Sequence, residues 1–171
     1  MNIGIYGGSF DPPHLGHLNV VLNELNVGFL DKIVVVPCFQ QTGKDLAHFY
    51  YRFTMCQRMF GDLPNVFVSK VEEILGGESI TLRTIEHFKR SSEYEYANLY
   101  LIVGEDIANA IPNWKGGNEL LKLVNLRVSK RSRFNSTNIR NDINGNKNHT
   151  TKSIANYMQC NYVYALLGVY L

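Results

Sequence analysis

Apolar positions along this chain follow two rhythms. Five short runs, Asn2 to Tyr6, Lys32 to Val36, Asn65 to Ser69, Asn98 to Val103 and Val124 to Ser129, are rich in β-branched and aromatic residues and predict strands. Between them the spacing lengthens. From His17 to Asn26, Leu18, Val21, Leu22 and Leu25 recur at the i, i+3, i+4, i+7 interval of one helical face, which predicts a helix. Ala47 to Phe60 and Thr81 to Arg90 read the same way; Leu82, Ile85 and Phe88 share one side of the latter, and Ser79 or Thr81 stands where a cap belongs. Alternating strands and helices predict an α/β chain with a doubly wound, Rossmann-like parallel sheet. From Ser132 to Ser153 the composition turns to Asn, Ser, Thr and basic residues, with an Asn144-Gly145 turn signal, and reads as a mobile loop. Beyond it, Ile154, Tyr157 and Met158 predict a short C-terminal helix. No internal repeat interrupts this order.

A length of 171 residues fits a single domain, 1 to 171. With 45% hydrophobic and 19% charged residues the composition is globular, which excludes a disordered tail or a disulfide-stapled scaffold. A formal net charge of +2 demands neither a nucleic acid nor a membrane surface as partner. Cys38, Cys56 and Cys160 form no C-x-x-C pair, so a reducing compartment fits best. The N-terminus lacks the charged head and long apolar stretch of a signal peptide. The apolar run Tyr162 to Leu171 is about half the ~20 residues of a spanning helix. A cytoplasmic, soluble protein is expected. Oligomeric state stays open, and a homo-oligomer is compatible with the sequence.

The chemistry concentrates after the first strand, in Gly7-Gly8-Ser9-Phe10-Asp11-Pro12-Pro13-His14-Leu15-Gly16-His17. An open α/β sheet places its ligand crevice at this strand end. Gly7 and Gly8 admit a positive-φ turn or a close ligand, and the two prolines stiffen the approach to the helix. His14 and His17 are three apart and share one face of the first helical turn, beside its positive dipole end. That combination suits phosphate. A plain turn with surface histidines is the competing explanation, and a metal site on Asp11, His14 and His17 has no clear further ligand. No G-x-x-x-x-G-K-[ST] and no G-x-G-x-x-G occurs, which disfavours a P-loop kinase and a conventional dehydrogenase.

GGSFDPPHLGH resembles the signature of the H-x-G-H nucleotidyltransferases, in the form used by bacterial nicotinate mononucleotide adenylyltransferases. Later segments match in order: Glu72, Ser79-Ile80-Thr81 with Thr84, Gly104-Glu105-Asp106, Trp114, Lys130-Arg131 and Ser136-Thr137-x-x-Arg140. Three departures stand out. Ile80 replaces a usual Tyr, Glu105 replaces Ala, and only four residues separate Arg131 from Ser136.

The resemblance implies transfer of AMP from ATP to nicotinate or nicotinamide mononucleotide, with release of pyrophosphate. It implies His14, His17 and Arg140 as the catalytic set, and Gly8, Ser9, Phe10, Lys44, Arg131, Ser136 and Thr137 as contacts to ATP. Thr81, Gly104, Asp106 and Trp114 are implied for the mononucleotide. Mg²⁺ is implied as companion of the triphosphate, with no protein ligand motif of its own. Physical readings stand beside several of these. Ser136 or Thr137 suits a helix cap with Arg140 one turn on. Lys44 and Arg131 read equally as solvated cations, and Trp114 as core. A phosphopantetheine adenylyltransferase or a cytidylyltransferase, and a noncatalytic nucleotide- or RNA-binding module using the basic stretch Arg127 to Arg133, are the rival functions.

Overall fold

The computed structural model describes residues 1–130, 133–141 and 145–161. In chain order the elements are β1 (Asn2–Gly8), α1 (Leu15–Val27), β2 (Lys32–Pro37), α2 (Phe49–Phe60), β3 (Val66–Val68), α3 (Val71–Leu75) and α4 (Thr81–Arg90). There follow β4 (Asn98–Gly104), α5 (Glu105–Ala108), α6 (Gly117–Leu123), β5 (Asn125–Ser129), α7 (Ser136–Asn141) and α8 (Lys152–Cys160), with 3-10 turns at Ile111–Asn113 and Lys147–His149. All five strands are parallel, in the order β3-β2-β1-β4-β5. The chain winds outward from β1 to β3 and then returns to β4, so the order reverses between β1 and β4. That reversal opens a crevice at the carboxyl ends of the two strands.

Alternation along each strand sends side chains to two separate cores. Tyr6, Ile33, Val35, Val66 and Ile102 pack on one face with Val21 of α1, Met55, Cys56 and Phe60 of α2, and Ile154 and Met158 of α8. Ile3, Ile5, Val34, Val36, Leu99, Leu101 and Val103 face the other way, against Ile85 and Phe88 of α4, Ile111 and Leu120. The runs read as near-continuous apolar stretches because both faces of the sheet are covered. Among the described residues no helix is long and apolar enough to cross a membrane.

The predicted doubly wound sheet is present, with corrections at its joints. β1 does not turn at Gly7 and Gly8. Its ladder with β2 continues to the pairing of Gly8 with Pro37, and the positive φ falls on Phe10, at 46°. A Cβ on Gly8 would stand 3.2 Å from the Phe10 ring, so glycine there makes room for an inward-turning aromatic. The Asn-rich stretch carries α7 and a 3-10 turn rather than forming one continuous loop. α3, α5 and α6 were not anticipated. Tyr162 to Leu171 and Arg131 lie outside the described residues.

The expected caps also move. α4 starts from Ile80 with no side-chain cap, because the Ser79 hydroxyl instead accepts from the Phe39 and Gln40 amides at 2.8 and 3.2 Å. On α7 it is Asn135, not Ser136 or Thr137, whose side-chain oxygen accepts from the Asn138 amide at 2.8 Å.

Candidate active site

The loop from β1 to α1 is buried through Asp11, Pro12 and Pro13, a segment in which prolines remove two amide donors while every carbonyl still needs one. The C-terminal segment supplies them. Arg140 donates to the Asp11 carbonyl, the Ser136 hydroxyl to that of Pro12 at 2.8 Å, and the Thr150 hydroxyl to that of Pro13 at 2.9 Å. Three successive carbonyls are thus held by three side chains from residues 136–150.

Arg52 holds the same region from the side of α2. It is 1% exposed, and its guanidinium donates to the carbonyls of Ala47 at 2.6 Å, Cys38 at 2.7 Å, Ser9 at 2.9 Å and Phe39 at 3.1 Å. One side chain therefore ties the exit of β1 to the exit of β2. The Asp11 carboxylate completes the bracing: it accepts from the Ala47 amide at 3.4 Å and lies 3.8 Å from Arg140.

The fixed loop delivers His14 and His17 to the start of α1. His14 is the N-cap residue of the helix and His17 its third position. The two rings stack with centroids 3.7 Å apart, and Phe10 closes on His17 from a centroid distance of 4.8 Å. The His14 amide donates to Nδ1 of His17 at 3.1 Å. With Nδ1 accepting, a neutral His17 carries its proton on Nε2 and offers it as a donor. Burial lowers the His14 pKa to about 4 and holds that of His17 well below the ordinary value, with the neighbouring His14 adding to the shift. Among the described residues no hydrogen-bond partner reaches the buried Nδ1 of His14. Both rings are neutral near pH 7 and ready to gain a charged partner.

The crevice in front of them is a cavity of about 880 Å³. That volume suits a large small-molecule ligand. Gly8, Ser9, His14, Gly16 and His17 line it from β1 and α1; Thr81, Gly104, Asp106 and Trp114 line it from α4 and beyond β4. Lys44, Lys115, Lys130 and Arg133 add positive charge to the wall. Trp114 lines the cavity and also packs against the core of the α4 face.

Not every expected residue reaches the cavity. Phe10 is 1% exposed, turns its ring into the core beside Tyr6, His17 and Phe60, and does not line the cavity. Ser136, Thr137 and Arg140 are not among the lining residues. Arg140 also donates to the Thr137 hydroxyl at 3.2 Å, and together with Ser136 it braces the loop that carries His14.

Sequence reasoning missed Arg52 and Thr150 altogether. It singled out Glu72 only by resemblance. The buried Glu72 carboxylate accepts from the Thr84 hydroxyl at 2.9 Å and from the Phe39 amide at 3.2 Å, joining α3 and α4 to the exit of β2. An arginine or threonine with no motif around it gives no signal when its partners lie far away in sequence.

Comparison with known proteins gives the chain its relatives. A protein named "Probable nicotinate-nucleotide adenylyltransferase" from Gemmatimonas aurantiaca is 35% identical over 133 residues, which are 77% of this chain and 62% of that protein. One of the same name from Thermotoga maritima is 38% identical over 130 residues, 75% of this chain and 62% of its own length. This chain thus spans somewhat under two thirds of these curated relatives. The fold matches a solved Plasmodium falciparum nicotinic acid mononucleotide adenylyltransferase complexed with NaAD, with a TM-score of 0.79, 22% identity and coverage of 96% and 97% of the two chains. A family model described as cytidylyltransferase-like matches residues 5–156, nearly the whole described sheet and its helices, and by that match the chain belongs to the cytidylyltransferase-like family.

Proposed function

We propose that this protein transfers AMP from ATP to nicotinate mononucleotide, giving the deamido dinucleotide and pyrophosphate. The observation that carries the reading is the single cavity at the β1/β4 reversal. His14 and His17 enter it from the α1 side of the sheet, and Thr81 and Trp114 enter from the α4 side. Two reactants, one anionic at its phosphates and one carrying an aromatic ring, find complementary walls there. The names of the relatives support nicotinate mononucleotide as acceptor.

The reaction asks for alignment and charge neutralisation rather than covalent help. A 5′-phosphate with a second pKa near ~6 is largely dianionic at neutral pH and attacks without a general base. Holding it in line with the α-phosphate of ATP is worth about 7 to 11 kcal/mol. His17 donates from Nε2 to the α-phosphate as charge develops, and His14 donates to the neighbouring phosphates; each such donor contributes about 2.7 to 4 kcal/mol. Gly8 and Ser9 present backbone to the triphosphate, and Lys44 and Arg131 add charge. Ser136, Thr137 and Arg140 serve ATP from behind by bracing the loop that carries His14. Thr81, Gly104 and Asp106 receive the ribose and ring of the mononucleotide, with Trp114 stacked on the pyridine.

Among the described residues no three potential ligands cluster in a way that would hold a metal ion. Mg²⁺ would enter with the triphosphate, held mainly by its oxygens, and would offset their charge. A cytoplasmic setting accords with Cys38, Cys56 and Cys160, all free thiols.

The test is pyrophosphate release on mixing the protein with ATP, Mg²⁺ and either pyridine mononucleotide. Turnover with nicotinate mononucleotide, lost in His17→Ala while ATP binding persists, is the expected result. ATP binding with no turnover on either mononucleotide would overturn the proposal.

A further inference from the structure

One peptide plane joins the C-terminal segment to the catalytic histidines. The Pro13 carbonyl accepts from the Thr150 hydroxyl at 2.9 Å, and the His14 amide donates to Nδ1 of His17 at 3.1 Å. These are the two ends of the same amide. A peptide unit is planar and rigid, so its oxygen and its N–H turn together. From this geometry we infer that Thr150 is a positioning residue for His17, acting through the Pro13–His14 peptide.

The burial pattern supports the assignment. Thr150 is 4% exposed, and its hydroxyl is spent on a carbonyl that no backbone donor reaches in the described structure. Pro13 cannot donate, so the segment has no ladder of its own to fix the orientation of this plane. Rotation of the plane would draw the His14 amide away from Nδ1 of His17. That would free the imidazole to switch tautomer and take its proton off Nε2. Two hydrogen bonds on one amide also polarise each other, so the bond at Pro13 strengthens the one at His17. Ser136 and Arg140 hold the preceding two carbonyls, but neither belongs to the plane that carries the His14 N–H.

The consequence for turnover rests on the adenylyl-transfer reading, whereas the consequence for the His17 tautomer does not. The experiment therefore compares the wild-type protein with Thr150→Val, which keeps the shape and removes the donor, and Thr150→Ser, which keeps the donor. If Thr150→Val does not fold, Thr150→Ala takes its place. Two quantities are read: steady-state kinetics with ATP and nicotinate mononucleotide, and the ¹⁵N resonances of the imidazoles, which report the tautomer directly. Expected for Thr150→Val is a loss of about tenfold in kcat/KM for ATP, the size of one lost hydrogen bond. KM for the mononucleotide stays unchanged, and the Nε2–H form of His17 is no longer the dominant species. Thr150→Ser restores both. Wild-type kinetics and tautomer in Thr150→Val, or equal impairment in Thr150→Ser, would overturn the inference. If the wild-type protein shows no turnover, the reaction reading fails by itself. The tautomer comparison then decides the positioning role, with a shift in Thr150→Val upholding it and no shift refuting it.

Discussion

His14 and His17 stack face to face, 3.7 Å between ring centroids and 23° between ring planes, with the rim of Phe10 behind His17. Among the described residues no carboxylate forms an ion pair with either ring. Burial is therefore the largest influence on their protonation, with His149 lowering His14 further and His14 lowering His17, and the neutral form is favoured in both.

A pH dependence of stability follows. An unfolded histidine takes up its proton near 6.5, whereas folded His14 does so only at about 4 and folded His17 well below 6.5. Between these values the unfolded state binds more protons, so stability must fall as pH falls through this window. Each histidine contributes a slope of about 1.4 kcal/mol per pH unit where its two states differ fully. Thermal melts of the ligand-free protein from pH 7 to 4 should show a declining Tm. His14→Asn should flatten the decline, and so should saturating ATP, whose negative charge beside the rings raises their pKa values. A flat profile in the wild-type protein would contradict the buried setting of both rings.

Arg52 should be among the costliest residues to replace in the site's support. Arg52→Lys keeps the charge but loses the fork that spans the carbonyls of Ser9, Cys38, Phe39 and Ala47. At least two buried carbonyls lose their donor, at about 1 to 3 kcal/mol each. Urea unfolding should show a midpoint lowered by that total divided by the slope, with the slope unchanged. Turnover should fall as well, since the exits of β1 and β2 are both released.

The contrast between Arg52 and the strands shows what a sequence displays and what it hides. Strand and helix periodicity is written in neighbouring residues, so the sheet and the long helices were legible from spacing. The stretch from Gly7 to His17 was legible for the same reason, because its chemistry is local. Arg52 sits within FYYRFTMC, where it reads as a solvent-facing helix position. Its burial depends on loops that begin at Ser9 and Cys38. Thr150 depends on Pro13, 137 residues away. Ser79 and Ser136 were read as caps because their types suit caps, yet the chain path brings other partners to their hydroxyls first. α3 and α5, of 5 and 4 residues, are too short for a helical period to show.

Glu72 offers a finer test, because its neighbours decide the sign. Its carboxylate accepts from the Thr84 hydroxyl and the Phe39 amide, but a hydroxyl also accepts and rotates to do so. Glu72→Gln can therefore point its oxygen at Phe39 and its amide at Thr84, keeping both contacts while the Thr84 proton turns away. Its stability should lie within about 1 kcal/mol of the wild-type protein. Glu72→Leu strands the buried Thr84 hydroxyl and should cost about 1 to 3 kcal/mol. Denaturant midpoints of the two variants, measured together, check this order.

Trp114 is the only tryptophan in the chain, and it stands between the core of the α4 face and the cavity. Its fluorescence therefore reports one place. A pyridine ring stacked on the indole should quench that emission, so titration with nicotinate mononucleotide should give a saturable decrease. Pyrophosphate alone, which the histidine wall attracts, should leave the emission nearly unchanged. Trp114→Phe keeps an aromatic face and core contact, and should raise KM for the mononucleotide by only a few-fold. Trp114→Ala removes both and should raise it by about tenfold or more, since an aromatic pair contributes about 0.5 to 1.5 kcal/mol beyond the area it buries. Its Tm should also fall, because the same ring fills part of the core. If Trp114→Ala lowered Tm while leaving that KM unchanged, the indole would be a core residue that merely borders the cavity, and the ring-binding wall would have to be built from Thr81 and Asp106 instead.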